Sequence, residues 1–256
     1  MSGTTIGLRL LFGISFSWVI AQAAENALSR DEAEGRELAA ELCALQPAAN
    51  ATNSAVLVVR DSSGRRTLTP LTITTEPGAD AAAGWTTTYS ARPAAPAPAE
   101  SLTILQHPNR APAYIQDGGG RASPEVLPAG KSFIAFAGSD FWLADLGLEF
   151  LHWVDQRILP GPRGDPPMVK GRSCKVLESR APAGAPYSRV VSWVDNEFKS
   201  IIQADAYALD GKLLKRFSVG SFKKVGGVWQ LKDMEMIDER RDTKTKLEFE
   251  LQVRER

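Results

Sequence analysis

The C-terminal third of the chain alternates apolar and polar residues with the period of β-strands. In the segment 243–253, Leu247, Phe249 and Leu251 alternate with Glu248 and Glu250, which predicts a strand with one buried and one solvated face. Four earlier segments have similar strand character, and two of the turns between them are Asp-Gly and Gly-Gly pairs, as tight hairpins require. The five predicted strands are 187–194, 199–209, 212–222, 228–237 and 243–253.

Five long consecutive strands predict one antiparallel meander. They are more than a small sandwich usually places in one meander, so the pattern favours a strongly curved sheet or a barrel that wraps a filling. The buried face of such a sheet needs an apolar cover, and the nature of that cover is the central question about function.

A helix is predicted ahead of the sheet. Ser29 and Glu32 have the spacing of a capping box, and Leu38, Leu42 and Leu45 recur at helical intervals before a proline ends the run. From residue 54 the period becomes that of strands. Further strands are predicted over 55–60, 65–75, 85–91 and 101–106, and an alanine- and proline-rich exposed loop over 92–100.

The central segment, 131–159, is rich in aromatic residues. Residues 132–137 predict a short strand, and Ser139 can cap a short helix over 140–146. Phe141 and Trp142 follow this cap, and neighbouring helical positions point about 100° apart, so they cannot both face one core. We expect Phe141 to anchor the helix to the sheet and Trp142 to touch the cavity or its mouth. The period alone leaves 150–159 open between helix and strand.

The N-terminus has the organisation of a secretory signal peptide. One positive charge, Arg9, precedes an apolar run over 10–20 that is short for a bilayer span, and Ala21-Gln22-Ala23 is a small-residue cleavage pattern. We therefore predict a signal peptide over 1–23, cleaved near Ala23, and a single exported domain over 24–256. A retained membrane anchor would need a longer apolar stretch.

The charges are distributed unevenly. Residues 24–169 carry 11 basic and 17 acidic side chains, whereas residues 170–256 carry 18 basic and 13 acidic ones. The near-neutral total offers no electrostatic footprint for nucleic acid, and we expect no nucleic-acid partner. Two explanations of the asymmetry stay open: solvated strand faces, or a basic surface on the C-terminal sheet for an anionic partner such as lipid headgroups or an acidic protein.

The two cysteines lack the spacing of a redox or metal site. Cys43 and Cys174 could pair in an oxidising compartment, but Cys43 lies on the apolar face of the predicted helix, where free buried cysteine is common. The sequence leaves the disulfide open.

Catalytic chemistry has weak support. Ser139, Asp140, Asp145 and His152 lie close in sequence, but the chain has no G-x-S-x-G motif and only two histidines. An aspartate after a capping serine is better explained as favourable charge at a helix N-terminus. We predict no enzyme activity, no cofactor and no metal site.

Several short motifs resemble one known family. Gly138-Ser139-Asp140-Phe141, continuing to Asp145-Leu146, is similar to the G-S-D-F…D-L signature of the bacterial outer-membrane lipoprotein-sorting proteins, the LolA-like group. The similarity continues in order through 171–178, 187–195, 210–215 and 234–236, and covers the chain from about residue 131 to its end.

The resemblance implies a mainly β, α+β fold: a strongly curved antiparallel sheet that forms an unclosed half-barrel, with helices across its mouth. It also implies a strand over 150–159 and a cavity for the acyl chains of lipoproteins or other lipids. The large apolar residues of the chain fit such a cavity, although for Trp193 and Trp229 an ordinary core role stays open. The candidates for cavity or lid are Phe133, Phe136, Phe141, Trp142, Trp153, Trp193, Phe217, Trp229, Met234 and Met236.

These observations lead to a functional hypothesis. We expect a monomeric periplasmic carrier that buries acyl chains for transfer to the outer membrane, with the first helix and the segment after Ser139 acting as a lid. An inner-membrane transporter and an outer-membrane acceptor are the partners that the resemblance implies. The alternative is a periplasmic sensor of the same fold that detects mislocalised lipoproteins and signals to a membrane partner.

Overall fold

The computed structural model describes residues 28–80, 82–161 and 165–251. The predicted signal peptide lies outside these residues. Within them the chain forms two α-helices, one 3-10 helix and sixteen strands. The helices are α1 (Arg30–Cys43), α2 (Leu143–Leu146) and the 3-10 helix Glu149–His152. The strands are β1 (Ala51–Arg60), β2 (Arg66–Pro77), β3 (Trp85–Ala91), β4 (Glu100–His107), β5 (Arg110–Gly118), β6 (Glu125–Val126), β7 (Asp155–Leu159), β8 (Met168–Val169), β9 (Arg172–Arg180), β10 (Tyr187–Asp195), β11 (Ile201–Ala208), β12 (Leu213–Val219), β13 (Phe222–Val225), β14 (Val228–Leu231), β15 (Asp233–Asp238) and β16 (Thr243–Phe249).

Fourteen of these strands form one antiparallel sheet. Its order is β6-β5-β4-β3-β2-β1-β16-β15-β12-β11-β10-β9-β7, with β8 also pairing with β9. The N-terminal and C-terminal halves join where β1 pairs with β16, for example Leu57 opposite Leu247. The two end strands, β6 and β7, do not pair with each other, so the sheet stays open. The predicted fold class, a mainly β protein with an unclosed sheet, is confirmed.

Helix α1 covers one edge of this sheet. Ser29 and Glu32 form the predicted capping box, and Leu38 and Leu42 are buried. The helix lies against β7 at Gly35, where an added Cβ would meet the Cα of Arg157 at 2.4 Å. Only glycine permits this approach, which shields the exposed edge of β7.

The central segment enters the concave side of the sheet, and its local structure corrects the prediction. Residues 132–137 form only an isolated bridge, between Ala135 and Trp142. Helix α2 begins at Leu143 rather than at residue 140, because the Asp140 side chain is engaged by β16. Residues 150–159 are neither wholly helix nor wholly strand: the 3-10 helix is followed by β7. We call residues 132–153 the plug.

The C-terminal meander is also more divided than its pattern predicts. The predicted strand 228–237 is two strands, β14 and β15, separated at Lys232. Strand β14 pairs only with β13, as a separate two-stranded hairpin, and β15 returns to the main sheet beside β12. The prediction that these five strands form one meander is therefore wrong, because a separate hairpin, β13–β14, lies between β12 and β15.

Two apolar clusters hold the plug in the sheet. The first joins α1 and the 3-10 helix to β9–β12, and includes Leu38, Phe150 and Val190. The second joins Phe136 and Phe141 of the plug to β1–β5, β15 and β16. The plug thus packs against both halves of the sheet and leaves a space between the two clusters.

Candidate functional site

The main cavity lies on the concave side of the sheet, beside the plug. Its volume is about 1030 Å³, at the upper end of the range of small-molecule pockets, about 300–1,000 Å³. The sheet supplies one wall through β3, β10–β12 and β15, and the plug and the end of α1 supply the other. Most of the side chains that line it are apolar, as in a site for a hydrocarbon chain.

Five of the ten predicted residues lie in the wall of this cavity. Phe141 comes from the plug, Phe217 from β12, Trp229 from the β13–β14 hairpin, and Met234 and Met236 from β15. The cavity thus collects residues from three separate parts of the sequence.

The other five predicted residues do not line the cavity. Phe136 and Trp153 are buried in the two apolar clusters. Trp193 lies on the outer face of the sheet, in a separate groove, because alternation along β10 turns it away from Val190 of the cavity wall. Phe133 packs edge-on against both Trp142 and Tyr187, with ring centroids 6.0 and 5.7 Å apart.

Phe141 packs against the sheet, as expected of an anchor, but Trp142 does not line the cavity as expected. Phe141 reaches the cavity, whereas Trp142 stacks on Tyr187 at a centroid distance of 5.0 Å and lies outside the cavity. Trp142 is the N-cap residue that precedes α2, and its amide donates to Asp145 Oδ2 at 2.9 Å. Its ring contacts are with Tyr187 of β10 and Lys215 of β12.

One buried cation lies at the edge of the cavity. Lys215 of β12 is 1% exposed, and its ammonium donates to Asp145 Oδ2 at 3.0 Å and to the carbonyl of Asp140 at 2.8 Å. It also lies 3.5 Å from the centre of the Trp142 ring. Burial lowers the pKa of this ammonium below its ordinary value, while the Asp145 carboxylate opposes that shift. Through these contacts Lys215 links β12 of the sheet to Asp140 and Asp145 of the plug.

The G-S-D-F motif is a structural anchor. The Asp140 carboxylate accepts hydrogen bonds from Thr243 Oγ1 at 2.5 Å and Thr245 Oγ1 at 2.8 Å, both on β16. Ser139 Oγ accepts from the amide of Phe141 at 3.2 Å inside the turn. These contacts position Phe141 at the cavity wall.

Several residues that line the cavity were not predicted from the sequence. Ile202, Ala204 and Ala206 of β11 present one face to the cavity, and Leu148 and Phe198 reach it from loops. The alternation of Ile202, Ala204 and Ala206 with polar residues was a usable signal, because small residues in a buried strand face leave room for a ligand. The loop residues gave no periodic signal.

The opening of the cavity is marked by exposed apolar side chains. Five residues both line the cavity and reach solvent, and Trp229 at 66% and Phe222 at 54% exposed are prominent among them. The other three are Leu45, Leu148 and Phe198. Exposed apolar surface around a cavity mouth is typical of a site that meets a membrane, a ligand or a partner protein.

The residues considered for catalysis do not form a reaction centre. His152 lies beside Cys43, with Nε2 and Sγ 3.5 Å apart, and away from Ser139 and Asp140. Burial raises the pKa of the Cys43 thiol to about 11, so this thiol stays protonated at neutral pH and lacks the activation of a nucleophilic cysteine. Cys43 and Cys174 are both free.

The described part of the chain contains neither a metal-ligand cluster nor a membrane-spanning helix. No group of three or more His, Cys, Asp or Glu residues there could hold a metal ion. No helix in the same residues is long and apolar enough to cross a membrane.

Comparison with known proteins places the fold. No curated protein sequence gives a significant match. A solved DUF1329 family protein from Desulfovibrio piger superposes with a TM-score of 0.69 at 18% identity, over 87% of this chain and 92% of that one. A candidate outer membrane lipoprotein-sorting protein domain from Vibrio parahaemolyticus gives 0.69 at 15% identity, over 86% and 92%.

A third structure and a family model complete the comparison. A LolA superfamily protein from Nitrosomonas europaea superposes with a TM-score of 0.57 at 14% identity, over 89% of this chain and 96% of that one. The model of a family described as uncharacterized protein matches residues 125–254, slightly more than half of the chain. The chain therefore belongs to that family, and it has a LolA-like fold.

Proposed function

We propose that the protein is a non-enzymatic periplasmic carrier that binds acyl chains of lipoproteins or other lipids in the main cavity, for transfer to the outer membrane. The observation that carries this proposal is the apolar cavity of about 1030 Å³ between sheet and plug, with five exposed apolar residues in its lining. The lipoprotein-sorting domain from Vibrio parahaemolyticus has a similar fold, and the signal peptide predicted from the sequence agrees with a periplasmic location.

The cavity supplies affinity through burial. Each methylene group taken out of water contributes about 0.8 kcal/mol, so an acyl chain needs no specific headgroup contact to bind. Met234 and Met236 suit a variable chain, because methionine is unbranched and adapts its shape. Leu42 at the end of α1, Leu45 just after it and Phe141 of the plug form the side of the cavity that would open as a lid.

Filling the cavity tests the proposal. Ala206 faces the cavity from β11, whereas Gln203 of the same strand lies opposite Trp193 on the outer face. We expect Ala206→Trp to abolish saturable binding of a fluorescent stearate probe, and Gln203→Trp to leave it unchanged. Both variants should keep a cooperative thermal transition. Equal probe binding by all three proteins would contradict the proposal.

Transfer distinguishes a carrier from a sensor. Protein loaded with the probe should release it to acceptor phospholipid vesicles faster than it does to buffer alone. A loaded protein that retains the probe in the presence of vesicles, and forms a stable complex with an inner-membrane protein, would favour the sensor function instead.

A further inference from the structure

A second concave surface lies on the outer face of the sheet, opposite the cavity. It is a groove of about 710 Å³ across β7, β9, β10 and β11. Val176, Val191 and Trp193 supply apolar surface to it. Among the described residues, the charged side chains that line it are three arginines and one glutamate: Arg157, Arg180, Arg189 and Glu178.

The three arginines converge on the single carboxylate. Glu178 is buried, and its oxygens lie 2.5 Å from Arg157 Nε, 3.1 Å from Arg180 Nε and 3.4 Å from Arg189 Nε. One negative charge therefore faces three positive ones. The three arginine side chains are between about one-third and one-half exposed, so solvent or a ligand can reach them.

The sheet register makes this cluster costly for a purely structural role. Arg180 and Arg189 are directly opposite each other on β9 and β10, and like charges in that position destabilise a sheet. Asp155 is opposite Arg180 on β7 but does not line the groove. Arg189 is held in place by Tyr207, with its guanidinium carbon 4.0 Å from the ring centroid.

We propose that this groove docks an acidic, partly apolar segment of a partner protein. An extended segment directs alternate side chains to opposite sides. Its acidic side chains could therefore pair with the guanidinium groups, while its apolar side chains contact Val191 and Trp193. A flat bilayer surface fits less well, because the apolar part of the groove would face hydrated headgroups. The proposal does not depend on what the cavity binds.

The test uses a defined peptide. A fluorescein-labelled heptapeptide of alternating Glu and Val should bind the full mature protein saturably in an anisotropy titration, and more weakly at higher salt. The same peptide with Gln in place of Glu should bind at least about tenfold more weakly, because it loses charge-assisted hydrogen bonds.

Four variants connect the binding to the groove. Arg189→Gln and Arg157→Gln should each weaken binding about tenfold. Glu178→Gln should tighten it, because it removes the carboxylate that competes with the peptide. Arg240→Gln is the matched control, since Arg240 is also half-exposed and pairs with an aspartate, Asp210, outside the groove, and it should change nothing.

Several outcomes would overturn the proposal. These are no saturable peptide binding by the folded protein, equal binding of the Glu and Gln peptides, or weaker binding in Glu178→Gln at a temperature where this variant is fully folded. Binding to phosphatidylglycerol vesicles that needs Arg189, without peptide binding, would assign the groove to a membrane surface. A self-association that Arg189→Gln abolishes would assign it to a second copy of the chain. Stearate binding in all variants tests the cavity separately.

Discussion

Asp140 and Thr245 exchange two hydrogen bonds between the plug and the concave face of the sheet. The amide of Asp140 donates to Thr245 Oγ1 at 2.8 Å. The Thr245 hydroxyl in turn donates to Asp140 Oδ2, also at 2.8 Å. Both residues are almost completely buried. A buried carboxylate that loses such a partner keeps the full cost of its desolvation, so this pair should be a main attachment of the plug.

Breaking that attachment should destabilise the fold cooperatively. We expect Asp140→Ala and Thr245→Val each to lower the free energy of unfolding by about 2 kcal/mol. The double variant should lose about 1 kcal/mol less than the sum, because the two residues share one interaction. Urea unfolding measures all three, with Thr67→Val at an exposed position of β2 as the control. Additive effects would show that the two residues act independently.

The two aromatic residues of the plug should behave differently. Trp142 stacks on Tyr187 outside the cavity, so Trp142→Ala should lower the free energy of unfolding by about 3 kcal/mol and leave stearate affinity of the folded protein unchanged. Phe141→Ala should reduce both stability and affinity, since Phe141 is buried and lines the cavity. Calorimetry and probe titration separate the two effects. A folded Trp142→Ala protein with weakened stearate binding would contradict these roles.

An element is predictable from its residue pattern when its determinants are local. Strand β3 could be predicted to its ends, because threonine and aromatic residues fill it and turn residues flank it. The G-S-D-F segment could not, because Ser139 and Asp140 have the local signature of a helix cap while the partners of Asp140 lie about one hundred residues away on β16. Local propensity gave way to a long-range contact.

The sequence predicted an apolar cavity, but only five of the ten predicted residues line it. Large apolar residues identified a cavity, but both alternating faces of β10 carry valine, so the pattern could not decide that Trp193 faces outward and Val190 inward. The break at Lys232 is followed by Asp233, the first residue of β15, whose carboxylate accepts a hydrogen bond from Ser221 Oγ at 2.7 Å. The alternation of apolar and polar residues along a strand gives no indication of such a side-chain contact.

The stability of the protein should depend on pH through Glu178. Burial opposes ionisation of this carboxyl, but hydrogen bonds from Arg157 and Arg180 outweigh burial and hold its pKa below the ordinary value of 4.5. A carboxyl whose pKa is lower in the folded state contributes stability above its unfolded pKa and loses it as pH falls through the folded pKa.

We therefore expect the wild-type protein to have a higher Tm than Glu178→Gln at neutral pH. The difference should shrink once the pH falls below 4.5. Thermal melts across this range measure it. A difference in Tm that is independent of pH would show that the charge of Glu178 contributes no stability.

The β13–β14 hairpin offers an optical signal for cavity loading. Trp229 lines the cavity but is 66% exposed, so a bound acyl chain should shield its indole and shift its fluorescence to shorter wavelength. Trp229→Phe should remove most of that shift while the protein still binds stearate. An unchanged shift in Trp229→Phe would place the ligand away from the hairpin.

The location of a bound acyl chain is the most direct test of the central claim. A stearate analogue with a photoreactive diazirine in the chain, crosslinked to the mature protein and mapped by peptide mass spectrometry, should label cavity residues such as Ile202, Phe217 and Met234, with labelling suppressed by excess stearate and by Ala206→Trp. Labelling confined to the outer face, for example at Trp193, or labelling that Ala206→Trp leaves unchanged, would contradict an acyl-binding cavity.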